Sequence, residues 1–195
     1  MKKTIRSLMV ISGMLTAAFF VSVAPVSAAG LTPAEQAQLV FVREEEKLAR
    51  DIYSVLYETW GTPVFANITE SEQRHMNAVL MLLVKYGIPD PASPQIGVFS
   101  DPKLQELYRQ LASQGQQSLL DAMKAGALIE EVDIKDLRIA IDDTNRTDLR
   151  RVYGNLERGS GSHLRAFASH IEALTGERYV AQFLAQDEVD EILGR

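Results

Sequence analysis

The chain has 195 residues, a net charge of −6, 46% hydrophobic residues and no Cys. The acidic balance excludes a nucleic-acid surface, which needs a basic face. The missing Cys excludes disulfide staples and thiolate metal sites, so a metal could be held only by Glu, Asp and His.

Lys2, Lys3 and Arg6 open the chain, an apolar stretch from Leu8 to Ala24 follows, and "PVSAAG" supplies small residues at a cleavage site. This order predicts a secretory signal over residues 1–28, cleaved after Ala28 or one residue later. Without Cys there is no lipid attachment at the cut, and no later run is apolar for long enough to span a bilayer. We therefore expect an exported protein, periplasmic or extracellular, with no stable membrane insertion after cleavage. Its single domain, residues 29–195, carries a charge of −9, because the leader removes three basic residues and no acid. That charge suits the attraction of cations.

The remaining chain reads as helical. "LTPAEQAQLVFVREEEKLARDIYSVLYETWG" begins with Thr32 as N-cap, Pro33 at the first helical position and Glu35 completing a capping box, and Gly61 supplies a stop. A second helix is predicted over about Glu70 to Tyr86, ended by Gly87. The Pro-rich stretch "GIPDPASPQIGVFSDP" reads as a connection. A short helix is expected over Lys103 to Leu111, long ones over Gln116 to Ile141 and Thr147 to Leu174, and one more short helix in "RYVAQFLAQDEVDEILGR". No strand-like alternation competes. The expectation is an all-α four-helix bundle with a long crossover between the second and third long helices.

Each long helix carries one apolar stripe, and each stripe contains polar intruders. The first holds Val42, Glu46, Ala49, Tyr53, Leu56 and Trp60. The second holds Ile68, Glu72, His75, Val79, Leu82 and Tyr86. The third holds Leu119, Met123, Ala127, Glu130, Ile134, Leu137 and Ile141. The fourth holds Leu149, Tyr153, Leu156, Ser160, His163, Phe167, His170 and Leu174. Converging carboxylates in a core repel one another and take up protons. A metal pair removes that penalty, and carboxylate with imidazole suits iron, manganese and zinc. Glu72 and His75, three apart, can reach one site together. Glu44, Glu45 and Glu131 flank the inward positions and are expected to face solvent, although a register shift of one residue would turn Glu45 or Glu131 inward. His170 lies about 10 Å beyond His163 along the helix, too far to share its site.

A Glu on the first helix, Glu-x-x-His on the second, a Glu on the third and a His on the fourth resemble the ferritin-like di-iron carboxylate bundle. "EEEKLARDIY" adds Tyr53 seven residues after Glu46, an offset similar to that in ferritins and rubrerythrins. With "SEQRHMNAVLMLLVKYGIPDP", "GALIEEVDIKDL" and "NLERGSGSHLRAF", the chain from about Leu39 to Leu184 also resembles domain-of-unknown-function family 2202, one group in that superfamily. The resemblance implies a ferritin-like bundle with Glu46, Glu72, His75, Glu130 and His163 as metal ligands, and Tyr53 as a candidate catalytic residue. It implies a di-iron site, with manganese or zinc as alternatives, and dioxygen or peroxide as partners in an oxidase or ferroxidase-like reaction. The fourth helix departs from the pattern, having Ser160 three residues before His163. Either Glu157, one turn earlier near Gly159 and Gly161, or Asp133, three residues after Glu130, would supply the missing oxygen. Two other function classes fit the same residues: a non-catalytic metal- or partner-binding bundle of the cell envelope, and a structural bundle whose polar layer is satisfied by hydrogen bonds.

Overall fold

The computed structural model describes residues 30–195; the predicted signal segment lies outside the described residues. Helix α1 (Pro33–Trp60) starts as expected: Thr32 accepts a hydrogen bond from the Glu35 amide, the Glu35 carboxylate reaches back to Thr32, and Gly61 closes the helix in the left-handed conformation at φ 63°. Helix α2 (Pro63–Tyr86) begins seven residues before the expected Glu70. The link is only Gly61 and Thr62, and Pro63 fits the first helical turn, where no amide hydrogen is needed. Its β-branched opening residues are helical because Phe65 and Ile68 are buried against α1, which outweighs propensity.

Residues 87–101 form the irregular crossover. Helix α3 (Pro102–Gly115) follows, capped by Asp101 and one turn longer than expected. Helices α4 (Leu119–Asp142, capped by Ser118), α5 (Thr147–Thr175) and α6 (Gln186–Leu193) complete the chain. Helix α5 stays unbroken through Gly154, Gly159 and Gly161. No described residue is in a strand, and no described helix is long and apolar enough to cross a membrane.

α1 packs on α2 and α4 on α5, while α1–α4 and α2–α5 contacts close the bundle. All four seams are antiparallel: Tyr53 meets Gly126 and Thr144 meets Glu35 across α1–α4, and Asp148 meets Lys85 across α2–α5. α3 lies outside, against α1 and α4. Buried apolar side chains form two clusters, one holding Ala49, Ile68, Ala127 and Leu164, the other Val42, Val79, Leu137 and Leu156. On every helix the polar intruders fall between these two sets. The α5 stripe ends at Phe167 and Ile171, and His170 and Leu174 are exposed.

The expectation that Glu44, Glu45 and Glu131 face solvent is wrong, since all three are buried. The four-helix picture omitted what covers the outer flanks of α1 and α4. Glu44 accepts the Ser100 and Asp101 amides at 2.6 and 3.0 Å, fastening the start of α3. Arg43 binds Asp90, and Lys47, paired with Asp51, donates to the Gln95 carbonyl at 2.9 Å. The run "REEEKLARD" therefore anchors the crossover on one face and supplies the core on another. Glu131 accepts from the amides of Gln182, Phe183 and Leu184 and from the Tyr179 hydroxyl, which pins the tail.

Candidate metal centre

Heptad-like spacing brings one carboxylate from α1 (Glu46), two groups from α2 (Glu72 and His75), one from α4 (Glu130) and one from α5 (His163) to the same depth. Glu46, Glu72 and Glu130 are each no more than 2% exposed. The groups form two triads, Glu46–Glu72–His75 and Glu72–Glu130–His163, with candidate ligand atoms in each within 4.8 Å of one another. Glu72 belongs to both. His75 Nδ1 lies 2.8 Å from Glu72 Oε2 and 3.1 Å from Glu46 Oε2, and His163 Nδ1 lies 2.7 Å from Glu72 Oε1 and 3.4 Å from Glu130 Oε2. The two imidazoles stack, with ring centroids 5.5 Å apart.

The electrostatics follow from that geometry. Burial alone would lower the pKa of His75, but hydrogen bonding to Glu46 and Glu72 raises it to about 11. Burial is likewise outweighed at His163, where Glu130 and Glu72 raise it to about 10. Glu72 is held down at about 2: its burial opposes ionisation, and the two imidazoles favour it. Glu46 and Glu130 are raised, chiefly by burial. Asp133 is pushed up to about 8 by burial and then by the Glu130 charge.

A metal fits this donor set. Glu72 Oε1 and His163 Nδ1 are 2.7 Å apart, yet neither has an aligned hydrogen-bond partner, and Glu46 Oε1 is also unpartnered. Buried polar atoms left this way are costly. Carboxylate oxygens and imidazole nitrogens that converge without an aligned hydrogen bond suit a cation that displaces the imidazole protons, and oxygen with imidazole nitrogen suits iron, manganese or zinc.

The two candidates for the missing oxygen separate. Glu157 turns away to pair with Arg138 at 2.8 Å, because an unbroken α5 leaves it on an outer face. Asp133 is buried, accepts a hydrogen bond from Ser160, and keeps Oδ1 free. Tyr53 is fully buried and donates to Glu130 Oε1 at 2.5 Å, and burial with the Glu130 charge raises its pKa far above the ordinary value. Gly159 has a role that the sequence reading did not assign. A Cβ there would lie 2.6 Å from both Cε1 and Nε2 of His75, so the glycine makes room for that ring. Its position in α5 was visible in the sequence, but its opposition to His75 was not.

Comparison with known proteins places the chain. "Uncharacterized protein MJ0754" of Methanocaldococcus jannaschii is 48% identical over 160 residues, covering 82% of this chain and 86% of that protein. The crystal structure of hypothetical protein MJ0754 from Methanococcus jannaschii is similar at a TM-score of 0.82 and 46% identity, covering 85% of this chain and 94% of that one. With residues 35–195 matching the family described as an uncharacterized protein domain (DUF2202), the chain belongs to the DUF2202 family.

Proposed function

We propose that the protein binds a pair of metal ions, iron or manganese, in a ferritin-like carboxylate site at mid-bundle. The observation that carries this reading is the pair of triads sharing Glu72, with unpartnered ligand atoms turned toward each other. Glu46 and His75 would hold one ion, Glu130 and His163 the other, with Glu72 between them. Asp133 stands by the side where α5 has Ser160. Such a pair supplies one-electron redox chemistry toward dioxygen or peroxide when bound, the basis of an oxidase or ferroxidase-like activity. Tyr53 holds Glu130 by donating to its outer oxygen, and Gly159 gives His75 its place. Without metal the histidines carry protons toward the carboxylates, so binding displaces protons and becomes stronger as pH rises. The leader pattern at the N-terminus supports an exported setting for this site.

The test is metal content and thermal stability. Protein refolded with iron, manganese and zinc in competition should retain two ions per chain and melt at a higher temperature than the metal-free form. His75→Ala should lose most of that increase. If metal shifts neither protein, the layer is a hydrogen-bonded core feature and the structural reading replaces this one.

A further inference from the structure

A cavity of about 230 Å³ lies on the other side of the α1–α4 seam from the proposed metal centre, roofed by α3. Leu48 of α1, Leu104, Leu107 and Leu111 of α3, and Leu128 and Ile129 of α4 line it. Phe183, 55% exposed, stands at its edge on the tail segment that Glu131 pins. The one charged residue in the wall is Glu45, which is 5% exposed, and its Oε2 is buried without a partner.

We propose that this cavity is a binding site for a small uncharged hydrocarbon, aliphatic or aromatic. Three features select that occupant. The space exceeds the roughly 150 Å³ at which an engineered apolar cavity takes up benzene, and it falls short of the roughly 300 Å³ where pockets for drug-sized molecules begin. Apart from Glu45 Oε2 at one point, the leucine and isoleucine wall offers no donor or acceptor, so a polar group carried inward would lose most of its hydrogen bonds to water without replacement. No basic residue lines the wall, so a carboxylate carried inward would be desolvated with no counter-charge to meet it, which disfavours a fatty acid entering carboxylate first.

The experiment is an NMR titration of the methyl-labelled protein with toluene and, separately, with hexanoate, without added metal. Its outcome is therefore independent of the metal reading. Toluene should bind saturably and give intermolecular contacts to the methyls of Leu107, Leu111 and Leu128, and hexanoate should bind at least tenfold more weakly. Leu128→Trp and Leu107→Trp, both at half-buried positions, should each lower toluene affinity at least tenfold while the circular dichroism spectrum stays unchanged. Should either variant fail to fold, the contact map on the native chain decides. Absence of saturable binding, contacts elsewhere on the molecule, or hexanoate binding as tightly as toluene overturns the proposal. So does sedimentation showing a dimer that toluene cannot enter, which would assign this face to a second copy.

Discussion

Replacing Gly159 by Ala tests whether the α5 backbone seats His75. The added Cβ would stand 2.6 Å from Nε2 and Cε1 of the ring, against an optimal carbon separation of about 3.5–4.0 Å, so something must move by about 1 Å. His75 cannot swing aside freely, since its Nδ1 faces Glu72 at 2.8 Å and Glu46 at 3.1 Å and its ring stacks on His163. Overpacking of this kind costs about 1–3 kcal/mol, and Ala returns about 0.5–1 kcal/mol as the better helix former. Gly154→Ala is the matched control in the same helix, because its Cβ would meet only Arg158 Nη1 at 3.7 Å. Helix propensity cancels between the two variants, so their difference isolates the clash at about 1–3 kcal/mol. Metal-free denaturant unfolding followed by circular dichroism measures that gap. Manganese titration should show at least tenfold weaker binding in Gly159→Ala only. If the two variants are equally stable and bind manganese alike, the glycine does not seat the histidine.

Three further outcomes follow from separate parts of the molecule. Glu131→Gln replaces a carboxylate facing four donors with an amide that turns its own NH2 toward some of them. It should destabilise by about 2–4 kcal/mol and speed hydrogen exchange at the Phe183 and Leu184 amides. Tyr53→Phe leaves Glu130 Oε1 without its donor and should cost about 1–2 kcal/mol by denaturant unfolding, while two metals per chain are still retained. At the far end of the bundle, burial opposes ionisation of Asp148, but hydrogen bonds from Lys85 and Tyr86, each at 2.5 Å, hold its pKa at about 2 against an ordinary 3.8. A depressed carboxylate contributes stability above about pH 4 that is lost as pH falls through 2. Lys85→Met should therefore raise the pH at which acid unfolding, followed by ellipticity, occurs.

The helices and their inward faces were legible because both depend on local periodicity. Thr32 with Glu35 marks a helix start in any context, and a stripe through Val42, Glu46, Ala49 and Tyr53 faces the core wherever α1 packs. The same periodicity put Glu72, His75, Glu130 and His163 at one depth. Where α2 begins was not legible, since "PVFANIT" is a poor helix former made helical by burial of Phe65 and Ile68. Nor were the partners of Glu44 and Glu131, which are backbone amides at Ser100 and Leu184, more than fifty residues away in the chain. A helical pattern states which way a side chain points, but what it meets there depends on a segment that folds back later. Ser160 shows the division most clearly. Set against the carboxylate pattern that the sequence resembles, Ser160 was a gap, with Glu157 and Asp133 left as alternatives. Only the tertiary structure turned Glu157 out to Arg138 and brought Asp133 across from α4, because an unbroken α5 cannot rotate one residue inward without rotating its neighbours out.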